Sequence, residues 1–240
     1  MSSDPILAAL EASWPPAATE HRGPLTLRRG AGGGQRVSAT TVAPGWTPAD
    51  LDAAEDWMRA EGQSLLFRVL PGDSALDAAL AARGYVINDP VVTFTAPVER
   101  LMRELPRLRC FAIWPPLEVQ REIWAADGLG PARVAVMERA ADPKTAILGR
   151  DDDRPAGAAY VGALGQVAAL HALHVLPAHR RRGLARDILS ESARWAASVG
   201  CTHLTLLVTA GNLGAQAAYH AAGMEQSPGY HYRLKPAEGA

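Results

Sequence analysis

Val175-Leu176-Pro177-Ala178-His179-Arg180-Arg181-Arg182-Gly183-Leu184-Ala185 is the stretch on which the reading of this chain turns. It predicts a strand end, a tight basic turn and a helix start. Upstream, residues 169–175 are apolar apart from His171 and His174. Downstream, Leu184, Ile188, Leu189 and Trp195 recur at roughly helical spacing. The turn contains no acidic residue. The first N–H groups of a helix have no partner inside it, and the helix dipole adds partial positive charge there. With arginines alongside, such a turn suits an anion, most naturally a phosphate. Gly183 lets the backbone approach that phosphate closely.

Outward from this turn, composition sets bounds. A chain of 240 residues suits one large domain or two small ones. An apolar fraction of 48% supports a packed core, and a net charge of −1 argues against nucleic acid or an anionic membrane surface as partner. No apolar run reaches the roughly 20 residues of a bilayer span. The N-terminus lacks the basic flank and apolar core of a signal peptide. A cytoplasmic protein that binds neither nucleic acid nor membrane is the expectation. Cys110 and Cys201 form no disulfide framework and no metal-ligand spacing, so free thiols and no metal are expected.

Comparing the chain with itself reveals two halves with one plan. Residues 65–70 read as a buried strand, after which Asp73 starts a helix that ends at Gly84. Residues 204–209 read the same way, after which Asn212 starts a helix that ends at Gly223. Asp and Asn are good helix caps, and Gly is the usual stop just past a helix. At that same offset Leu80 matches Tyr219. Upstream, Trp57 and Gly62 match Trp195 and Gly200 after a one-residue shift, and Val42-Ala43-Pro44 matches Val175-Leu176-Pro177. After the proline the halves part. The second has the arginine-rich turn; the first has Gly45-Trp46-Thr47-Pro48-Ala49-Asp50, an ordinary capped helix start.

The second half reads as a strand at 109–114, helices at 117–127 and 131–140, and strands at 145–149 and 156–162 joined by a polar turn at 151–155. A strand at 166–176, a helix at 182–199, a strand at 203–209, a helix at 212–222 and a closing strand at 230–234 follow. In the first half, 25–29 and 36–41 read as a hairpin across the glycine-rich run 30–34. Hairpins followed by alternating strands and helices imply an α/β (α+β) fold with two domains, 1–97 and 98–240, joined by a linker around 96–106. Each carries a mixed, mostly antiparallel sheet with helices on both faces.

Arg180-Arg181-Arg182-Gly183-Leu184-Ala185 resembles the Arg/Gln-x-x-Gly-x-Gly/Ala signature of the GNAT superfamily of N-acyltransferases, and Val175-x-Pro177 resembles the end of that family's fourth strand. Asn212-x-x-Ala215-x-x-x-Tyr219-x-x-x-Gly223 looks like its second cofactor motif. The resemblance covers roughly residues 109–234, and the first half looks like a degenerate copy in a tandem arrangement. It implies acetyl-CoA or a related acyl-CoA as donor and an amine as acceptor, attacked without a covalent enzyme intermediate. The pyrophosphate would rest on the turn, here Arg180, Arg181, Arg182, Gly183, Leu184 and Ala185. The amide near Val175 would polarise the thioester carbonyl, and Asn212 would contact the cofactor or cap its helix.

Tyr219 stands where the family often has a general acid for the leaving thiolate, and a phenol keeps its proton at neutral pH. Its match in the first half is Leu80. His171 and His174 are candidate bases for the ammonium of the acceptor. Three apart, they face opposite sides of a regular strand, so both reach one cleft only across a bulge. They lack a third ligand for a metal. Of Arg180, Arg181, Arg182 and Arg186, one or two are expected at phosphates. The run Asp151-Asp152-Asp153 reads as a turn, without the glycine and glutamate of a calcium loop. Trp14-Pro15-Pro16 and Trp114-Pro115-Pro116 repeat without an evident reason. The acceptor, a small molecule or peptide amine, is not written in the sequence, nor is the choice between monomer and homodimer. A non-catalytic acyl-CoA-binding or regulatory module is the alternative reading.

Overall fold

The computed structural model describes residues 4–236. In chain order its first elements are α1 (Pro5–Ala12), β1 (Ala18–Arg22), β2 (Leu25–Arg29), α2 (Gln35–Ser38), β3 (Thr41–Val42), α3 (Pro48–Ala60), β4 (Leu66–Val69), α4 (Ser74–Ala82), β5 (Val86–Asn88), β6 (Val91–Pro97) and α5 (Val98–Leu101). There follow β7 (Cys110–Ile113), α6 (Glu118–Ala125), α7 (Pro131–Arg139), β8 (Lys144–Asp151), β9 (Arg154–Leu164) and β10 (Val167–Val175). A 3₁₀ turn (Pro177–His179), α8 (Leu184–Ser198), β11 (His203–Thr209), α9 (Leu213–Ala221), β12 (Glu225–Pro228) and β13 (His231–Leu234) complete the chain.

These elements form two units. The larger comprises 4–15, 93–208 and 212–227; the smaller comprises 16–92, 209–211 and 228–236. The larger is built on a seven-stranded sheet in the order β12-β6-β11-β10-β9-β8-β7. Its strands β7 to β10 pair antiparallel, and β10 pairs parallel with β11. Glycines make room for α8 on one face. A Cβ on Gly149 or Gly157 would come within 2.7 or 2.8 Å of the Ile188 side chain. The other face carries α6 and α1. Ser13, just past α1, lies so close over Gly162 that a Cβ there would meet it at 2.7 Å. The architecture is thus mixed α/β with an antiparallel-dominated sheet, as the sequence predicts.

The smaller unit has two three-stranded sheets, β1-β2-β3 and β4-β13-β5, joined by a parallel bridge from Thr40 to Phe67. Its core is complete, with Leu25, Leu27, Leu51, Met58, Phe67 and Leu80 all at most 1% exposed. The capped helix start read at 47–50 is present. Asp50 accepts from both the amide (2.7 Å) and the hydroxyl (2.8 Å) of Thr47.

Three expectations differ from the structure. A cut at 97/98 does not separate the units, because the last strand of each half lies in the other unit's sheet. Strand β6 sits between β12 and β11, where Phe94 is fully buried and Thr95 pairs its hydroxyl with that of Thr205 at 2.9 Å. Strand β13, expected to close the second half, instead pairs with β4 and β5. Arg233 on it grips Asp77 of α4 with two bonds of 2.7 and 2.8 Å. Finally, 36–41 is not the return strand of a hairpin. Its first residues close the helical turn α2, in which Ser38 donates to the Gly34 carbonyl, and only Thr41–Val42 pairs with β2.

Candidate active site

Strands β10 and β11 pair only from Val167–His203 to Leu170–Leu206. Beyond those pairs they part, although β10 runs to Val175 and β11 to Thr209. The edge of β10 that faces the opening therefore carries backbone groups without a strand partner. The Leu176 amide donates to Ala156 on the β9 side at 2.9 Å. By alternation, the Val175 amide points the other way, into the opening. At the head of this opening lies the turn into α8. Its amides from Arg181 to Ala185 donate to no acceptor among the described residues, whereas Arg186 and Asp187 already bond to the Gly183 carbonyl. Five consecutive N–H groups at a helix N-terminus form a cradle for an anion.

Gly183 caps α8 with φ +82°, a left-handed conformation that side chains other than glycine's resist. A Cβ there would meet nothing within 4 Å, so conformation rather than crowding by the chain calls for glycine. Arg181 is also left-handed, at φ +64°.

The arginines divide by partner. Arg180 folds back to the Val175 carbonyl at 2.9 Å. Arg182 reaches Asp151 at 3.0 Å and Asp152 at 3.2 Å. Arg181 and Arg186 pair with no carboxylate among the described residues. Beneath the turn, Asp151 is 5% exposed and accepts from His179 (2.8 Å), Arg109 (2.8 Å) and Arg182. The bonds from His179 and then Arg109 hold its carboxyl down at about 2. Arg109 also bonds the buried Asp187 of α8 at 2.9 Å and the Arg182 carbonyl at 3.3 Å. Arg103 holds the other oxygen of Asp187. The turn is thus tied to β7, to the β8–β9 hairpin and to the first turn of α8.

Tyr219 lies on α9, a helix that fully buries none of its residues. Its ring packs on Phe94 with centroids 5.4 Å apart, and burial pushes its phenol up to about 12, so it keeps its proton at neutral pH. Asn212 caps α9, accepting from the Ala215 amide at 3.1 Å.

The two histidines share a face. His171 pairs with Tyr160 and His174 with Ala158, so β10 carries one extra residue between them. Ala172 absorbs it at φ +51°, and Trp124 donates its indole N–H to the Ala172 carbonyl at 2.9 Å. Their environments differ. The Ser13 hydroxyl donates its one hydrogen to the Ala9 carbonyl at 2.6 Å, so at 2.7 Å His171 Nε2 must be the donor to Ser13 Oγ. Trp14 also packs against His171, tilted by 41° with centroids 5.1 Å apart. His174 Nδ1 lies 2.9 Å from Asp127 Oδ2, so Nδ1 carries the hydrogen and Nε2 of the neutral ring has a lone pair. That Nε2 is buried and has no hydrogen-bond partner.

The family model described as "Acetyltransferase (GNAT) family" matches residues 100–224, just over half of the 240. The chain belongs to the GNAT family of acetyltransferases. A search of curated protein sequences finds no match. Among solved structures, a GCN5-related N-acetyltransferase from Kribbella flavida is similar at TM-score 0.68 and 22% identity, over 92% of this chain and 90% of that one. A GCN5-related N-acetyltransferase from Sphaerobacter thermophilus is similar at TM-score 0.62 and 16% identity, over 82% and 72%. A tandem GNAT protein from the clavulanic acid biosynthesis pathway is similar at TM-score 0.60 and 16% identity, over 93% and 85%. These likenesses concern the fold.

Within this GNAT unit the sequence did not mark the pairing of Asp127 with His174 or the anchors of the turn. Arg109 reads only as a strand start and Asp151 only as part of a turn; the hairpin turn is there, and Asp151 serves the neighbouring turn as well. Nothing local marks either, since Arg109, Asp151 and Asp187 meet only in the fold. The two Trp-Pro-Pro sequences also find a reason. Trp14 and Trp114 both pack on the ring of the buried Tyr160, at 6.1 and 5.9 Å. Among the described residues, no helix is long and apolar enough to cross a membrane, and no cluster of three or more His, Cys, Asp or Glu could hold a metal.

Proposed function

We propose that this GNAT protein transfers an acetyl group from acetyl-CoA to a primary amine. The observation that carries the proposal is the parting of β10 from β11, with five open amides at its head. The residues suit the donor. Amides 181–185, with Arg181 and Arg186, would hold its phosphates. The free edge of β10 would pair with its amide-bearing arm. Asn212 caps its own helix through Oδ1, which leaves its Nδ2 hydrogens for the donor.

In the reaction the amine nitrogen bonds to the thioester carbon and the carbon–sulfur bond breaks. The Val175 amide faces the charge that develops on the carbonyl oxygen, a contribution commonly worth 10²–10³ in rate. His174 Nε2 takes the proton lost by the amine, directly or through water. Tyr219 gives its proton to the departing thiolate, and solvent restores both groups. His171 is left out because its Nε2 already donates to Ser13.

The test is thiol release from acetyl-CoA with a panel of alkylamines, aromatic amines, amino acids and short peptides. Amine-dependent release is expected with at least one class. Calorimetric binding of acetyl-CoA with no release from any amine would favour a binding module instead. Tyr219→Phe should lower kcat about 100-fold and leave the KM for acetyl-CoA within twofold. Equal loss in both would give Tyr219 a binding role.

A further inference from the structure

We propose that Asp127 is the positioning residue for His174: it fixes the ring's orientation and keeps the lone pair on Nε2. The inference rests on the reading of His174 as the base. Asp127 follows α6 and precedes Gly128, whose φ of +76° turns the chain toward α7. The Asp127 amide is anchored on the Trp124 carbonyl at 3.0 Å. The Trp124 side chain in turn holds the Ala172 carbonyl at the bulge, the irregularity that brings His174 to this face. The two partners of the dyad are therefore held by the same tryptophan, one through its backbone and one through its indole.

The environments suit the role. The His174 side chain is 8% exposed and that of Asp127 is 59% exposed. A buried imidazole with one nitrogen unpartnered is costly unless that nitrogen has a use. A carboxylate can only accept from Nδ1, so it selects the Nδ1–H tautomer and leaves Nε2 free to take a proton. His171 differs, since its Nε2 carries the hydrogen and is already spent on Ser13. Of the two histidines on this face, the carboxylate singles out His174.

The experiment compares Asp127→Asn and His174→Gln in the full chain, with acetyl-CoA and the best amine of the panel. Asp127→Asn keeps the shape and removes the charge, and because the side chain is mostly exposed the fold tolerates it. The expected result is a fall in kcat of about 100-fold or more with the KM for acetyl-CoA within twofold. Nitrogen-15 spectra of the imidazoles, at a pH where the ring is neutral, should show the Nδ1–H tautomer in the parent and a shift toward Nε2–H in the variant. A role confined to stability would not move the tautomer. If Asp127→Asn keeps its kcat within twofold while His174→Gln loses activity, the base stands and the role of Asp127 is overturned. The same follows if the tautomer stays unchanged. If His174→Gln also keeps its kcat, the reading of His174 as base fails with it.

Discussion

Helices α3 and α8 start at matching places in the two halves, yet their first turns are finished in opposite ways. In α3 the chain supplies its own anion. Asp50, three residues past the Thr47 cap, accepts from the Thr47 amide and hydroxyl. In α8 the cap is Gly183, with no side chain to give, and the third position past it is Arg186. One helix end is closed by its own carboxylate, and the amides of the other have no acceptor among the described residues. The tyrosine follows the same division. Tyr219 on α9 is partly exposed, whereas Leu80 at the matching place on α4 is 0% exposed. Losing or gaining an anion site on this framework thus takes very few residues.

The sharpest way to break the contrast is to give α8 the ending of α3. Arg186→Asp puts a carboxylate at the position of Asp50. Losing two charge-assisted amide bonds, at about 1.5 kcal/mol each, should weaken acetyl-CoA binding on the order of 100-fold. Calorimetric titration would read it, with circular dichroism as the control for folding. Undiminished affinity would mean that the open amides are not the phosphate site.

A smaller effect is expected from the support beneath the turn. Asp151→Asn should raise the KM for acetyl-CoA roughly tenfold, the size of one lost bond to a charged group, with a lesser change in kcat. The same variant tests the electrostatics. Asp151 drops from its ordinary 3.8 to about 2 in the fold, chiefly through His179 and then Arg109. The unfolded chain therefore binds more protons in this window. The stability Asp151 contributes is full above about 4 and is lost as pH falls toward about 2. Asp77, held by Arg233 and then His231, also drops to about 2 and plays the corresponding part in the smaller unit. Urea midpoints measured from pH 5 down to pH 2 should fall less steeply in either Asp→Asn variant than in the parent. An unchanged slope would remove both clamps from the account.

The smallest effect belongs to the closed end. Thr47→Ala should cost about 1 kcal/mol of stability. Turnover should stay at the parental value, because Asp50 already closes the first turn of α3. A fall in kcat at a temperature where the variant is fully folded would show that the closed helix end takes part in catalysis after all.

Much of this was legible because it is local. The strand, turn and helix around Arg180 to Ala185 lie in one continuous stretch, and so do the cap and stop of α9. Apolar runs and glycine stops marked nearly every element of the second half. What escaped depends on partners far along the chain. The clamp on the turn joins Arg109, Asp151 and Asp187, and the dyad joins Asp127 to His174. The bulge was expected only through the family resemblance, since its left-handed residue is Ala172 rather than a glycine. The destination of β6 and β13 hides because a strand's own pattern gives its faces but not its neighbours.

The exchange of final strands has a consequence for how the chain can be divided. Residues 91–97 belong to the first half of the sequence, which lacks the open turn, yet they form an inner strand of the sheet that has it. A deletion of the first half would remove that strand, and a matching loss of β13 would take the middle strand from β4 and β5. Neither half can be shed by a single clean cut. The sheet that carries the candidate site therefore needs a strand from each half of the chain.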